Sequence, residues 1–179
     1  PPGHYSAFAE LHIEQGPLLE QRQVPLGVVT AIAAPASLKI QIEGQGGHAG
    51  AVLMPGRRDA FLAAAEIALA VESAAHSTGS IDTVATVGAC DVFPGAVNSI
   101  PSRVRIEVDV RDIDQARRDT VLEQIAAACE TTASKRGVQV RPERLNADPP
   151  AHSPPPVRDP PVPPPPSPAS HPHATPGPP

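Results

Sequence analysis

Apolar and polar residues alternate along two stretches of this chain and follow a helical rhythm along two others. In residues 37–43, Leu38, Ile40 and Ile42 fall on one face and Lys39, Gln41 and Glu43 on the other, the pattern of a half-buried strand. Residues 102–112 repeat it, with Val104, Ile106, Val108 and Val110 set against Arg103, Arg105, Glu107, Asp109 and Arg111. Residues 82–93 read as a further strand. Residues 57–75 read as a helix, with Phe61, Ala65, Ala68 and Glu72 down one side and Leu62 and Leu69 alongside. Asp114 suits the N-cap of a second helix over about 115–135, in which Val121, Ile125 and Ala128 lie four and three apart. Gly137 ends it, and 138–141 form a short last strand. From 36 to 145 the order is β-α-β-β-α-β, an α+β, ferredoxin-like pattern of one antiparallel sheet with two helices on one face. Ahead of it, 7–15 read as a strand stopped by Gly16-Pro17, 18–23 as a helical turn, and 28–34 as a strand broken by Pro35.

Composition alters this picture at one end. Residues 149–179 are roughly half proline and hold almost no large aliphatic side chain, so they bury too little apolar surface to offset their ordering entropy. Three segments are therefore expected: 1–35 as part of one domain, 36–145 as a second, and 146–179 as a disordered Pro-rich tail. The spaced prolines around 163–166 satisfy PxxP trivially, so docking through the tail is a weak reading. A formal charge of −5 and the lack of a basic stripe argue against a nucleic-acid surface. The arginines at 57–58 and 117–118 read as exposed helix-start residues. Cys90 and Cys129 lie in apolar pattern and read as small buried hydrophobes. No run of about 18 apolar residues predicts a membrane span. The opening Pro1-Pro2-Gly3, with no Met ahead of it, is expected of a fragment.

Four places could carry chemistry. Glu10-Leu11-His12-Ile13-Glu14-Gln15 puts an imidazole between two carboxylates on one face of an extended stretch, which suits a divalent metal as well as a solvated strand end. Gly44-Gln45-Gly46-Gly47-His48-Ala49-Gly50 is a glycine-rich loop. His48 could donate to a substrate carbonyl there or be incidental, and no Lys-Ser/Thr closes a phosphate cradle. Asn98, within Pro94-Gly95-Ala96-Val97-Asn98-Ser99-Ile100-Pro101, can bind a carboxylate or simply form a turn. Arg111 can clamp a carboxylate with its fork or pair with a neighbouring Asp.

Glu-Leu-His-Ile-Glu-Gln-Gly-Pro, Gly-Gly-His-Ala-Gly-Ala-Val-Leu-Met-Pro with Arg-Asp-Ala, Thr-Val-Gly, Pro-Gly-Ala-Val-Asn-Ser-Ile-Pro and Asp-Val-Arg-Asp-Ile-Asp occur in that order. Together they resemble the amidohydrolase branch of the dinuclear-metal aminoacylase/carboxypeptidase superfamily. That branch holds N-carbamoyl-amino-acid, allantoate and ureidoglycolate amidohydrolases. The segments 28–39, 48–55, 69–72, 80–88 and 98–101 are most similar to its plant-type ureidoglycolate subgroup. The resemblance covers about 6–150.

It implies that His12 is a metal ligand, that Gln15 lines the substrate pocket, and that His48 polarises the scissile carbonyl, often across a dimer interface. It implies that Asn98 and Arg111 hold the substrate carboxylate, and that 36–145 is a lid and dimerisation domain. Two Mn2+ (or Zn2+) ions would activate water, and a small ureido acid would be split, ureidoglycolate giving glyoxylate, ammonia and carbon dioxide. The family's other metal ligands and its general base have no counterpart here, so the chain is expected to be inactive alone. The alternatives are a non-catalytic dimerisation or binding module, or an allantoate or N-carbamoyl-amino-acid amidohydrolase of the same family. Plant members imply the endoplasmic reticulum.

Overall fold

The computed structural model describes residue 3 and residues 10–153. The chain comprises two compact units, Ala31–His152 and, separately, Pro1–Thr30 with Ser153–Pro179. In chain order the elements are α1 (Leu18–Gln21), β1 (Ala31–Ile32), β2 (Ala34–Glu43), β3 (Gly47–His48) and α2 (Ala60–Ser77). They continue with β4 (Val84–Phe93), β5 (Ser99–Ile100), β6 (Arg103–Asp112), α3 (Gln115–Arg136), β7 (Gln139–Ala147) and β8 (Ala151–His152).

The larger unit is a four-stranded antiparallel sheet in the order β4-β6-β2-β7. Its two central strands alternate as their sequences predict. The register sets Leu38 opposite Val108, Ile40 opposite Ile106 and Ile42 opposite Val104, so the two apolar faces coincide. That face is buried against α2 and α3, and the core is built from Val, Ile, Leu, Ala and Cys129 without an aromatic. The opposite face is polar and laced with ion pairs such as Lys39–Glu143 and Arg105–Asp91.

Both helices start where a carboxylate can accept their free N–H groups. Asp59 caps α2 by accepting from Phe61 and Leu62, at 2.9 and 3.2 Å, so this helix begins at 60 rather than 57. Asp114 caps α3 through Arg117 N–H at 3.0 Å, and Gly137 closes it at φ 63°. Glu66 ties the helices together by accepting from Lys135 at 2.8 Å and Arg136 at 2.6 Å, and these bonds hold its carboxyl at about 2.

Several expectations are corrected. The face of α2 that packs on the sheet is Ala60, Ala63, Ala64, Ile67, Val71 and Ala74, leaving Phe61, Leu62 and Leu69 exposed. A helix apolar nearly all round gives periodicity little to choose by, and its small residues allow the closest approach. By length and composition α2 could cross a membrane, but this buried stripe is that of a core helix. Cys129 is buried and its thiol is pushed up to about 11 by burial and then by Glu130, whereas Cys90 is exposed on the edge strand β4. Pro35 does not break the strand but lies inside β2, one residue before the ladder to β7 begins.

Residues 7–9 of the expected first strand lie outside the described residues. Residues 10–15 form no regular structure, since they have no ladder partner among the described residues. The Glu14 carboxylate instead caps α1, accepting from Leu18 and Leu19 at 3.0 and 2.9 Å. Most of the expected disordered tail, 154–179, lies outside the described residues. Just before it, β7 runs to Ala147 and β8 pairs with β1, so 146–152 are not part of such a tail.

Candidate functional site

His48 and Asn98, fifty positions apart, meet on a two-stranded ribbon. β3 pairs with β5 so that His48 faces Ser99 and Gly47 faces Ile100, and Ala49 N–H donates to the Asn98 carbonyl at 2.9 Å. The glycines permit this approach. A Cβ on Gly47 would lie 2.8 Å from Val52, and one on Gly44 only 2.1 Å from the Arg58 carbonyl oxygen.

The His48 ring is exposed, and its Nδ1 accepts the Gly50 N–H at 3.1 Å. An accepting Nδ1 places the proton of the neutral ring on Nε2, so His48 presents an N–H donor outward. Asn98 is also exposed, and among the described residues its carboxamide has no hydrogen-bond partner. The ribbon brings the backbones of the two residues together, and their chemistry differs usefully: a donor imidazole can serve a carbonyl and a free carboxamide a carboxylate.

Arg111 lies elsewhere. It lies near the end of β6, paired with Pro35 of β2 on one side and Val84 of β4 on the other, at the end of the sheet opposite Arg103 and Ser102. Eight residues of extended strand separate Arg111 from Arg103, roughly 25 Å along β6. The Arg111 guanidinium is half exposed and bonds Asp109 through Nε at 2.6 Å, the ordinary strand-end pair that its sequence also allowed. One copy of this unit therefore does not bring Arg111 to His48 and Asn98.

His12 and Gln15 belong to the smaller unit. Both are exposed, and Gln15 has φ 57°. His12 Nδ1 lies 2.5 Å from the Ile13 carbonyl oxygen, a contact that needs Nδ1–H and leaves the Nε2 lone pair free, the opposite tautomer to that of His48. This suits a single metal ligand. A two-ion centre needs several convergent donors. Among the described residues no three His, Cys, Asp or Glu side chains converge, and Glu14 is occupied in capping α1. The described residues do not fit such a centre by themselves.

Sequence reading missed three arginines. Arg57 is half-buried and donates to the Ala49 and Val52 carbonyls of the His48 turn, instead of standing free at a helix start. Arg118 is buried at 1% exposure, bonded to Asp119 and to the Asp148 carbonyl. Next to it, Arg117 forks onto the wholly buried Asp112 at 2.6 and 2.7 Å. Paired arginines at a helix start look solvated in sequence. The usable signal was Arg57 standing two residues before the Asp59 cap and five beyond Val52, within reach of the loop.

Residues 34–137 match the family model of the peptidase dimerisation domain. The chain is 60% identical over 152 residues to the ureidoglycolate hydrolase of Arabidopsis thaliana, covering 84% of this chain and 32% of that protein. It is 46% identical over 144 residues to the N-carbamoyl-L-amino acid amidohydrolase of Geobacillus stearothermophilus, covering 80% and 35%. Among solved structures, that of AtUAH in complex with (S)-hydroxyglycine superimposes with a TM-score of 0.77 at 59% identity, covering 79% of this chain and 34% of that one. The chain thus spans about a third of the length of the curated relatives it matches. By its residues 34–137, the chain belongs to the peptidase dimerisation domain family.

Proposed function

We propose that these residues serve a metal-dependent amidohydrolase acting on linear amide or ureido C–N bonds, with ureidoglycolate as substrate and glyoxylate, ammonia and carbon dioxide as products. The observation that carries this reading is the β3–β5 ribbon, which turns the Nε2–H of an exposed His48 outward and ties its strand to the backbone of Asn98. His48 donates to the substrate carbonyl and keeps donating as that oxygen gains charge, the arrangement that stabilises an oxyanion. Asn98 holds the substrate carboxylate. The guanidinium of Arg111 lies too far along its own strand to help, so the second clamp is Arg111 of the partner subunit in a homodimer formed through 36–145. Gln15 lines the pocket. The two divalent ions, manganese or zinc, belong to this proposal only where further ligands join His12. What the chain's own residues carry is binding and polarisation. The order of elements and strands supports the ferredoxin-like reading of the lid, and the endoplasmic reticulum remains the proposed compartment.

A chimera tests this. Residues 10–150 replace the corresponding segment of the similar Arabidopsis thaliana ureidoglycolate hydrolase. Ammonia release from ureidoglycolate is expected, with allantoate as the control substrate, and His48→Ala should lower kcat by about 10²- to 10³-fold. A folded, dimeric chimera that turns over allantoate but not ureidoglycolate would overturn the substrate assignment. One without any turnover would overturn the enzyme reading.

The second reading is a dimerisation module without catalysis. It is favoured by the apolar side chains Phe61, Leu62 and Leu69 on α2 and Val84 and Phe93 on the edge strand β4, all left exposed in one copy. Elution of the 179-residue chain as a monomer at micromolar concentration would count against it.

A further inference from the structure

We propose that Arg57 is a positioning residue that fixes the tautomer of His48 through a single peptide group. This rests on the role given to His48 above. The Arg57 guanidinium donates to the Ala49 carbonyl at 2.6 Å and to the Val52 carbonyl at 2.7 and 3.0 Å. Among the described residues neither carbonyl has another donor, and no carboxylate pairs with Arg57. The charge of a half-buried arginine is thus directed at the backbone of one turn.

That turn carries His48. Ala51 and Val52 N–H both close on the His48 carbonyl at 3.1 Å, and Ala49 N–H is held by Asn98. The decisive link is the Ala49–Gly50 peptide. A trans peptide is planar, with its C=O and N–H pointing in opposite directions. Arg57 grips the carbonyl of that group, and the N–H of the same group donates to His48 Nδ1 at 3.1 Å. Holding one end therefore aims the other. A charged donor on the carbonyl also polarises the peptide and strengthens its N–H as a donor. With that N–H directed at Nδ1, a proton is excluded from this nitrogen and Nε2–H faces outward.

An arginine suits the task because its fork reaches two carbonyls three residues apart, whereas a lysine ammonium offers one centre. Asp59, two residues on, has a separate duty as the cap of α2 and contributes nothing to the turn.

The test is long-range ¹⁵N–¹H NMR of the imidazoles in the 179-residue chain at alkaline pH, together with amide exchange at Gly50. In the unmutated chain His48 should show an unprotonated Nδ1 and a protonated Nε2. In Arg57→Met the Nδ1 signal should move toward the protonated type and the Gly50 amide should exchange about tenfold faster. Arg57→Lys should fall between. Asp59→Ala should lower the melting temperature and leave the His48 signals in place, which separates positioning from general loss of stability. An unaltered tautomer and unaltered Gly50 protection in a folded Arg57→Met or Arg57→Lys would overturn the proposal. So would an Nδ1-protonated His48 in the unmutated chain, a measurement that needs no variant. None of these readouts depends on turnover, so failure of the chimera would leave them standing.

Discussion

Where β6 ends, Asp112 is wholly buried and accepts from Thr83 at 2.5 Å, from the Asp114 N–H at 2.8 Å and from both arms of Arg117. Where β6 begins, the neighbouring loops are held by backbone bonds, close-packed glycines and Arg57, and the side chains of His48 and Asn98 remain exposed. One end spends its polar side chains on cohesion, turning them inward until each is satisfied. The other satisfies its backbone first and leaves polar side chains over. A polar residue is available for chemistry when other groups hold its loop in place, and the difference between the two ends can be measured.

The largest effect belongs to Asp112→Ala. Removing a wholly buried carboxylate strands Arg117 and the Thr83 hydroxyl, at an expected cost of about 3–5 kcal/mol in urea unfolding. The same carboxylate predicts a pH dependence. Burial pushes the Asp112 carboxyl up, but the bonds from Arg117, Thr83 and Asp114 outweigh it and hold it below the usual carboxylate range. Its folded value is thus lower than its unfolded one. Its contribution is complete above about pH 4 and disappears as the pH falls through the folded value. Glu66, held at about 2 by Arg136 and Lys135, acts in the same direction. Stability should therefore decline from about pH 4 downward, and Asp112→Asn should make that decline shallower. An unchanged slope in Asp112→Asn would show that the buried cluster is not the acid-sensitive part.

At the other end the backbone is the sensitive element. Gly44→Ala would drive a Cβ to 2.1 Å from the Arg58 carbonyl oxygen, which now accepts the Gln45 N–H at 2.7 Å. Because backbone must shift, a loss of about 2–3 kcal/mol is expected. A loss near that of Asp112→Ala would mean that both ends matter equally for cohesion. Asp59→Ala comes next, at about 1 kcal/mol by thermal or urea unfolding, since it frees two N–H groups of α2.

How much of this was legible in sequence depends on whether burial is one-sided. β2 and β6 were readable because Leu38, Ile40, Ile42 and Val104, Ile106, Val108, Val110 alternate against polar partners. Only the start of β7, within the strand expected at 138–141, was readable, because Arg141-Pro142-Glu143-Arg144 lies exposed on an edge, where pairing to β2 sets its length without a hydrophobic signal. The packed face of α2 was misread for the opposite reason, an excess of apolar residues. At the candidate site, residue types and motifs pointed to His48 and Asn98, but their meeting depends on two-residue strands too short to carry any period. The separation of Arg111 could have been found by arithmetic, because a strand from 102 to 112 is long enough to keep its ends apart. Arg57 was hidden because its partners are carbonyls, and every residue has one.

The smallest expected effect sharpens the contrast most. Asn98 could have been needed simply to make its turn, in which case a left-handed backbone would favour it. Among the described non-glycine residues only Gln15 and Gln23 have positive φ, so the Asn98 backbone is one that alanine adopts equally well. Its contribution to the turn is its own carbonyl, which accepts the Ala49 N–H and is retained in any substitution. Asn98→Ala should therefore change the urea midpoint by less than about 0.5 kcal/mol in equivalent free energy. In the chimera, the same substitution should raise KM for ureidoglycolate about tenfold or more, as expected when a carboxylate loses a hydrogen-bonding partner. A destabilisation above 1 kcal/mol with KM unchanged would move Asn98 from the free set to the cohesive one, and the two ends of the sheet would then differ only in what they are made of.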